Sequence, residues 1–304
     1  MRVAVVGLGG VGGYIAANFV KSGIDVIGFA RAKHLDAIQA HGIQIVEDES
    51  CWSEHIDARG LDDLDGYFEG SFDVVIFCVK SYDLENSYEH IRSHIDEKTI
   101  LLSFSNGVSN GDVLRELSSS VVLDGCVYIL SHIEEAGTIR KKGKVFAAVF
   151  GGDEHATSIL KELFDRANLR NKIPKDIKTA IWKKYIFISA FATLTSYYDK
   201  SIGYVYEHHY DDAKALLEEI VAVAKAMDID LSDEVEKALE TAGKVPYDSS
   251  TSMHLDFQHK KRDELRVLSG YIVEKAEELN LKIPYMNRMY EKLSDISKNN
   301  RSIL

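Results

Sequence analysis

Val3-Ala4-Val5-Val6 runs directly into Gly7-Leu8-Gly9-Gly10-Val11-Gly12 and then into an apolar, helix-patterned stretch reaching Val20. Strand, glycine turn and helix in that order form the context that a dinucleotide-binding crossover requires. Gly7 permits the tight turn, Gly9 lets the backbone approach a pyrophosphate, and Gly12 lets the helix pack close to the strand. The helix start then offers unpaired N–H groups and a positive dipole end to phosphate. The second strand ends Gly28-Phe29-Ala30-Arg31, with Lys33 close behind. An acidic residue there would bind the ribose 2′-hydroxyl of NAD, whereas a cation pairs with a 2′-phosphate, so Arg31 points to NADPH/NADP.

The rest of the N-terminal half keeps the same grammar. Strand candidates are Val3 to Val6, Asp25 to Phe29, Asp73 to Val79, Thr99 to Ser103 and Val121 to Gly125, separated by helical patterns, which is the signature of a mostly parallel sheet with crossover helices. Val74 to Phe77 is apolar without alternation, as expected of a strand covered on both faces. Val127 to Ile133, a turn at Glu135 to Thr138, and Lys144 to Phe150 read as an antiparallel addition at the sheet's edge.

Beyond Phe150 the pattern is helical: Ala156 to Ala167, Ile177 to Tyr198, Asp211 to Met227, Ser232 to Ala242 and Asp263 to Leu279. Asn168 to Ile177, basic and interrupted by Pro174, reads as a linker. The expected architecture is α/β: a Rossmann-like NADP-binding domain over residues 1–170 and an all-α substrate and catalytic domain over 171–304.

A net charge of −12 disfavours a nonspecific nucleic-acid binder, which needs Lys and Arg to neutralise phosphates. Three scattered cysteines (Cys51, Cys78, Cys126) without a CxxC pair suit a reducing compartment, and the expectation is a cytoplasmic protein with no metal. The longest apolar stretch, Tyr185 to Tyr198, falls short of a bilayer span and carries Ser189, Thr193, Thr195 and Ser196, so a buried helix is expected and no membrane partner. His208-His209 should flank a helix, and Asp211-Asp212, Glu218-Glu219 and Glu277-Glu278 should be solvated helix faces. Cys78 reads as a small apolar side chain inside a strand.

Lys80 follows the buried strand at its carboxyl end, where open α/β sheets bind ligands, and Asn106-Gly107 follows the next strand in the same way. Lys183-Lys184 lies on an otherwise apolar helix; one lysine can snorkel to the surface while the other is half-buried and suited to proton donation. Taken in order with Gly7 to Gly12, Arg31, Ser252-Met253, Asp256, Arg262-Asp263-Glu264 and Gly270-Tyr271-Ile272-Val273, these residues resemble the ketopantoate reductase (2-dehydropantoate 2-reductase) family over almost the whole chain. The resemblance implies NADPH-dependent reduction of a 2-oxo acid in a cleft between a Rossmann domain and a helical domain, as in pantothenate biosynthesis. By it, Lys184 matches the general acid and a substrate ligand, and Glu264 matches the carboxylate beside that lysine and the cofactor. Ser252 matches a substrate ligand, Asn106 and Lys80 match residues near the nicotinamide ribose, with Asn106 also near substrate, and Ser131 falls where a loop contacts the cofactor. Leu8, Gly10 and Val11 share the phosphate turn, and a homodimer fits the family.

The chain departs from the family where asparagines usually follow the general-acid lysine by four and eight residues: these positions are Ile188 and Ala192, on one helix face with Lys184. Two rival readings therefore stand beside ketopantoate reduction. One is a reductase of a different, less polar 2-oxo acid; the other is a non-catalytic NADP-binding sensor, against which Lys184, Glu264 and Ser252 speak.

Overall fold

The computed structural model describes residues 1–64 and 70–301, and divides into two compact units: residues 1–105 with 109–177, and residues 106–108 with 178–304. The first unit contains, in chain order, β1 (Arg2–Val6), α1 (Gly10–Lys21), β2 (Asp25–Phe29), α2 (Ala32–His41), β3 (Ile43–Val46), β4 (Cys51–Glu54), β5 (Asp57–Arg59), β6 (Val74–Phe77), α3 (Leu84–Ile91), β7 (Ile100–Ser103), α4 (Asn110–Leu117), β8 (Val121–Glu135), β9 (Thr138–Gly151), α5 (Glu154–Arg166) and β10 (Asn171–Lys172). The strands order as β4-β3-β9-β8-β7-β6-β1-β2-β5, with β10 joined to β9. The run from β8 through β5 is parallel, and β8 turns back into β9 as an antiparallel hairpin.

The central strands are apolar without alternation because each face meets its own core. On β1, Val3 and Val5 join one buried cluster while Ala4 and Val6 join the opposite one; on β6, Val74 and Ile76 divide from Val75 and Phe77 in the same way. Helices cover both faces, as a buried parallel sheet demands. The ends of β1, β2, β6 and β7 lie level, since Val6 pairs with both Phe29 and Phe77, and Phe77 pairs with Ser103.

Three expectations change. The β8–β9 hairpin is not the edge: β3 pairs with β9 in parallel at Gln44 to Val46 against Thr138 to Arg140, and β4 extends the sheet beyond it. Strand β9 begins at Thr138 rather than Lys144, and its register shifts between Ile129 and Ser131 of β8. Asn171 and Lys172, placed by sequence in the linker, pair with Ala148 and Val149 and stay with the sheet.

The second unit is helical: α6 (Ile177–Tyr198, its first residue counted with the sheet unit), α7 (Ile202–His208), α8 (Tyr210–Ala226), α9 (Glu234–Lys244), α10 (Ser252–Gln258), α11 (Tyr271–Glu278) and α12 (Pro284–Arg301). Its core is built from stripes such as Leu216, Leu217, Ile220, Val223 and Ala224 of α8. The expected helix from Asp263 to Leu279 is corrected: residues 263 and 264 precede it, and Arg266–Gly270 is a π-helical turn. Such turns leave carbonyls off the α ladder. Two hydroxyls of α6 take them up, Tyr185 Oη donating to Val267 O (3.0 Å) and Leu268 O (2.7 Å), and Ser189 Oγ donating to Leu268 O (2.7 Å). Glu219, expected on a solvated face, is half-buried and accepts from the backbone N–H of Tyr285 and Met286 at the start of α12. His209 joins α7 to α8 and stacks on Tyr198. No helix among the described residues is long and apolar enough to cross a membrane.

Candidate functional site

The glycine turn of the first unit has the constraints its sequence foretold. Gly7 sits at φ +96°, a conformation L side chains rarely adopt, and its N–H and that of Leu8 both donate to Phe29 O at the end of β2. A Cβ on Gly12 would stand 2.1 Å from Gly7 O and 2.8 Å from Cys78 Cβ, so helix and strand touch there. Burial pushes the Cys78 thiol up, which leaves it a packing group. A Cβ on Gly9 would meet nothing within 4 Å: the turn is open on the side where a phosphate needs access to backbone.

Gly10 has a reason that sequence reasoning missed. A Cβ there would lie 2.6 Å from Ser131 O on β8, so Ser131 is pressed against the start of α1. Its Oγ is buried and has no hydrogen-bond partner among the described residues. A buried unpaired hydroxyl costs about 1–3 kcal/mol; beside an open glycine turn it fits a polar group of a bound dinucleotide. Val11 is half-buried against the sheet core. The residues present therefore fit NADPH: the glycine turn for the pyrophosphate, Ser131 beside it, and Arg31 at the end of β2.

Arg31 is the N-cap of α2, its side chain 85% exposed and 3.3 Å from Asp83 Oδ2. An ion pair so exposed contributes little, so the guanidinium is available to a 2′-phosphate. Losing such a charge-assisted contact costs about 1.5–3 kcal/mol, roughly ten- to hundredfold in affinity. Arg31→Ala should accordingly weaken NADPH far more than NADH, and calorimetric affinities falling equally for both would remove Arg31 from the site. Lys80 is half-buried just past β6, and Ser105 Oγ donates to Val79 O at 2.6 Å, which ties the loops after β6 and β7 together.

In the second unit, Asn106 stands between two charged groups. Lys184 Nζ donates to Asn106 Oδ1 at 3.5 Å, and Asn106 Nδ2 donates to Glu264 Oε2 at 3.4 Å. Gly107 follows at φ +113°, which only glycine adopts readily. Glu264 is 2% exposed, and a buried carboxylate persists only where partners compensate its desolvation. The neighbouring Asp263, also buried, accepts from Ser297 Oγ (2.6 Å) and Leu265 N (3.1 Å), anchoring the segment that presents Glu264. The sequence carried Asp263 inside a motif but gave no sign of its partner on α12.

The two lysines separate as expected: Lys183 is exposed and pairs with Glu234 at 3.6 Å, while Lys184 is half-buried. Ser252 is exposed at the first turn of α10, which Thr251 caps. Ile188 is half-buried and Ala192 is 1% exposed within the helical core.

The family model described as ketopantoate reductase PanE/ApbA matches residues 3–152, and the model of its C-terminal region matches residues 176–297. The chain is 29% identical over 301 residues to an uncharacterized oxidoreductase, YkpB, of Bacillus subtilis (strain 168), covering 96% of this chain and 98% of that protein. It is 26% identical over 292 residues to a 2-dehydropantoate 2-reductase of Archaeoglobus fulgidus, covering 92% of each. The solved 2-dehydropantoate 2-reductase of Porphyromonas gingivalis W83 superposes with a TM-score of 0.83 at 30% identity, covering 97% of this chain and 99% of that one.

Proposed function

We propose, for a chain that belongs to the ketopantoate reductase family, the reduction of 2-dehydropantoate (ketopantoate) to pantoate as a step of pantothenate biosynthesis in the cytoplasm. Members of this family are NADPH-dependent oxidoreductases acting on CH–OH groups. The observation that carries the reading is the chain of contacts from the Lys184 ammonium through the Asn106 amide to the buried Glu264 carboxylate. A sensor of cofactor ratio has no use for a half-buried ammonium held this way.

NADPH, when bound, supplies the hydride that the ketone carbon accepts. The charge that then develops on the ketone oxygen needs a positioned donor, and Lys184 Nζ gives it a proton, leaving the hydroxyl of the 2-hydroxy acid. Asn106 orients the ammonium through its Oδ1, and Glu264 orients Asn106 through the Nδ2 hydrogen bond. Ser252, on the exposed first turn of α10, binds the substrate. In the first unit the Gly7 to Gly12 backbone, Ser131 and Arg31 hold the dinucleotide, and Lys80 serves its ribose.

Steady-state oxidation of NADPH across a panel of 2-oxo acids tests the assignment: turnover with none of them would return the chain to the sensor class. The hydroxyl of ketopantoate is the sharper question. Ile188 and Ala192 offer it no hydrogen bond, and an apolar wall separates such isosteres by only about 10²-fold, against 10⁴-fold or more for a polar site. The expected kcat/KM preference for ketopantoate over its branched analogue without the hydroxyl is thus below roughly 10³-fold. A larger ratio would mean that other residues hold the hydroxyl. Half-buried Ile188 is the position to restore, and Ile188→Asn should raise the ratio. Ala192→Asn would instead bury an amide in the apolar core and cost stability.

A further inference from the structure

His34 lies on α2, three residues beyond Arg31, and is half-buried. Its Nδ1 stands 3.0 Å from the backbone N of Gly137, in the two-residue turn between β8 and β9, and its Nε2 stands 2.8 Å from Leu8 O in the glycine turn. A backbone N–H can only donate, so Nδ1 must accept, and the neutral imidazole carries its proton on Nε2 and donates it to Leu8 O. Gly137 is at φ +82°, and a Cβ on it would come within 3.1 Å of Ala37 Cβ, so the hairpin turn also rests directly on α2. One imidazole thereby joins three elements: the helix that begins beside Arg31, the glycine turn, and the hairpin that carries Ser131.

The contact with Leu8 O has a directional consequence. A trans peptide is planar, with C=O and the following N–H pointing to opposite sides. Holding the Leu8 carbonyl toward His34 therefore turns the Gly9 N–H away from it, at the residue whose surroundings are open. We propose that His34 is a positioning residue for the dinucleotide: it sets the orientation of the Leu8–Gly9 peptide and fastens the Ser131 hairpin to the same turn, without touching the cofactor. This rests on the reading of the glycine turn as the pyrophosphate site.

The test is direct NADPH binding by calorimetry on the full chain, with kcat at saturating NADPH and thermal stability measured beside it. His34→Phe keeps a ring and removes both hydrogen bonds; the dissociation constant should rise about tenfold while kcat stays within about twofold. His34→Gln keeps one donor and one acceptor and should recover part of the affinity. A residue that only supports the fold would lower thermal stability and leave the dissociation constant of the folded fraction unchanged, and that outcome overturns the proposal. Gly9→Asp, whose Cβ would meet nothing within 4 Å and which sets a carboxylate at the turn, separates the two levels. If it weakens NADPH and His34→Phe does not, His34 has no positioning role; if Gly9→Asp leaves binding unchanged, the pyrophosphate reading fails and the proposal falls with it.

Discussion

Replacing Lys184 by alanine should lower kcat by roughly 10²- to 10⁴-fold, the range expected when a positioned general acid is removed, while NADPH affinity stays nearly unchanged. The split follows from where the side chain sits. Nζ is held through Asn106 to buried Glu264 in the helical unit, whereas the glycine turn and Arg31 belong to the sheet unit. Loss confined to kcat identifies an interaction made in the transition state rather than in binding. Lys183→Ala is the matched control: its ammonium is exposed and pairs with Glu234, an interaction worth at most about 1 kcal/mol, so turnover should stay close to that of the unaltered protein. Near-normal turnover by the Lys184 variant would show that another group delivers the proton.

Gly12→Ala should damage both stability and cofactor binding, because the new Cβ would stand 2.1 Å from Gly7 O, a backbone atom of the turn itself. No rotamer relieves that clash; either α1 moves off the sheet or the turn deforms. Overpacking of this kind costs about 1–3 kcal/mol or more, which in a unit of this size lowers Tm by roughly 2–12 °C. NADPH affinity should fall with it, on the order of a hundredfold, since the deformed atoms are those facing the pyrophosphate. Gly9→Ala makes the comparison informative. Its φ is −71° and its Cβ has free space, so Tm should hold while NADPH binding weakens. A Gly12→Ala protein with unchanged Tm and unchanged affinity would refute the close-packing account of this turn.

What could be read from residues alone was local and repetitive. Val3 to Val6 with its glycine turn needed no distant contact to be recognised, because the positive φ of Gly7 and the close approach of Gly12 to Gly7 O both arise within the turn. The second strand, Asp25 to Phe29, and the long helix, Ile177 to Tyr198, match their expected bounds, since a predominantly apolar run suffices to define a largely buried element. The position of Arg31 just past β2 was legible in the same way, because the end of that strand was.

What only the tertiary structure decided depends on partners far apart in the chain. Ile43 to Val46 and Cys51 to Glu54 are four residues long and partly polar; the first becomes a strand because β9, about ninety residues later, pairs with it, and the second then pairs with the first. The π turn at Arg266–Gly270 exists in company with Tyr185 and Ser189, some eighty residues earlier, whose hydroxyls take its carbonyls. Glu219 looks like any surface carboxylate until Tyr285 and Met286 bring it the N–H groups of α12. Likewise nothing in the local sequence joins Asn106 to Glu264, 158 residues away, or His34 to both Leu8 and Gly137. Residue patterning encodes which faces seek burial, but a hydrogen bond between side chains needs two positions at once, and folding sets the second.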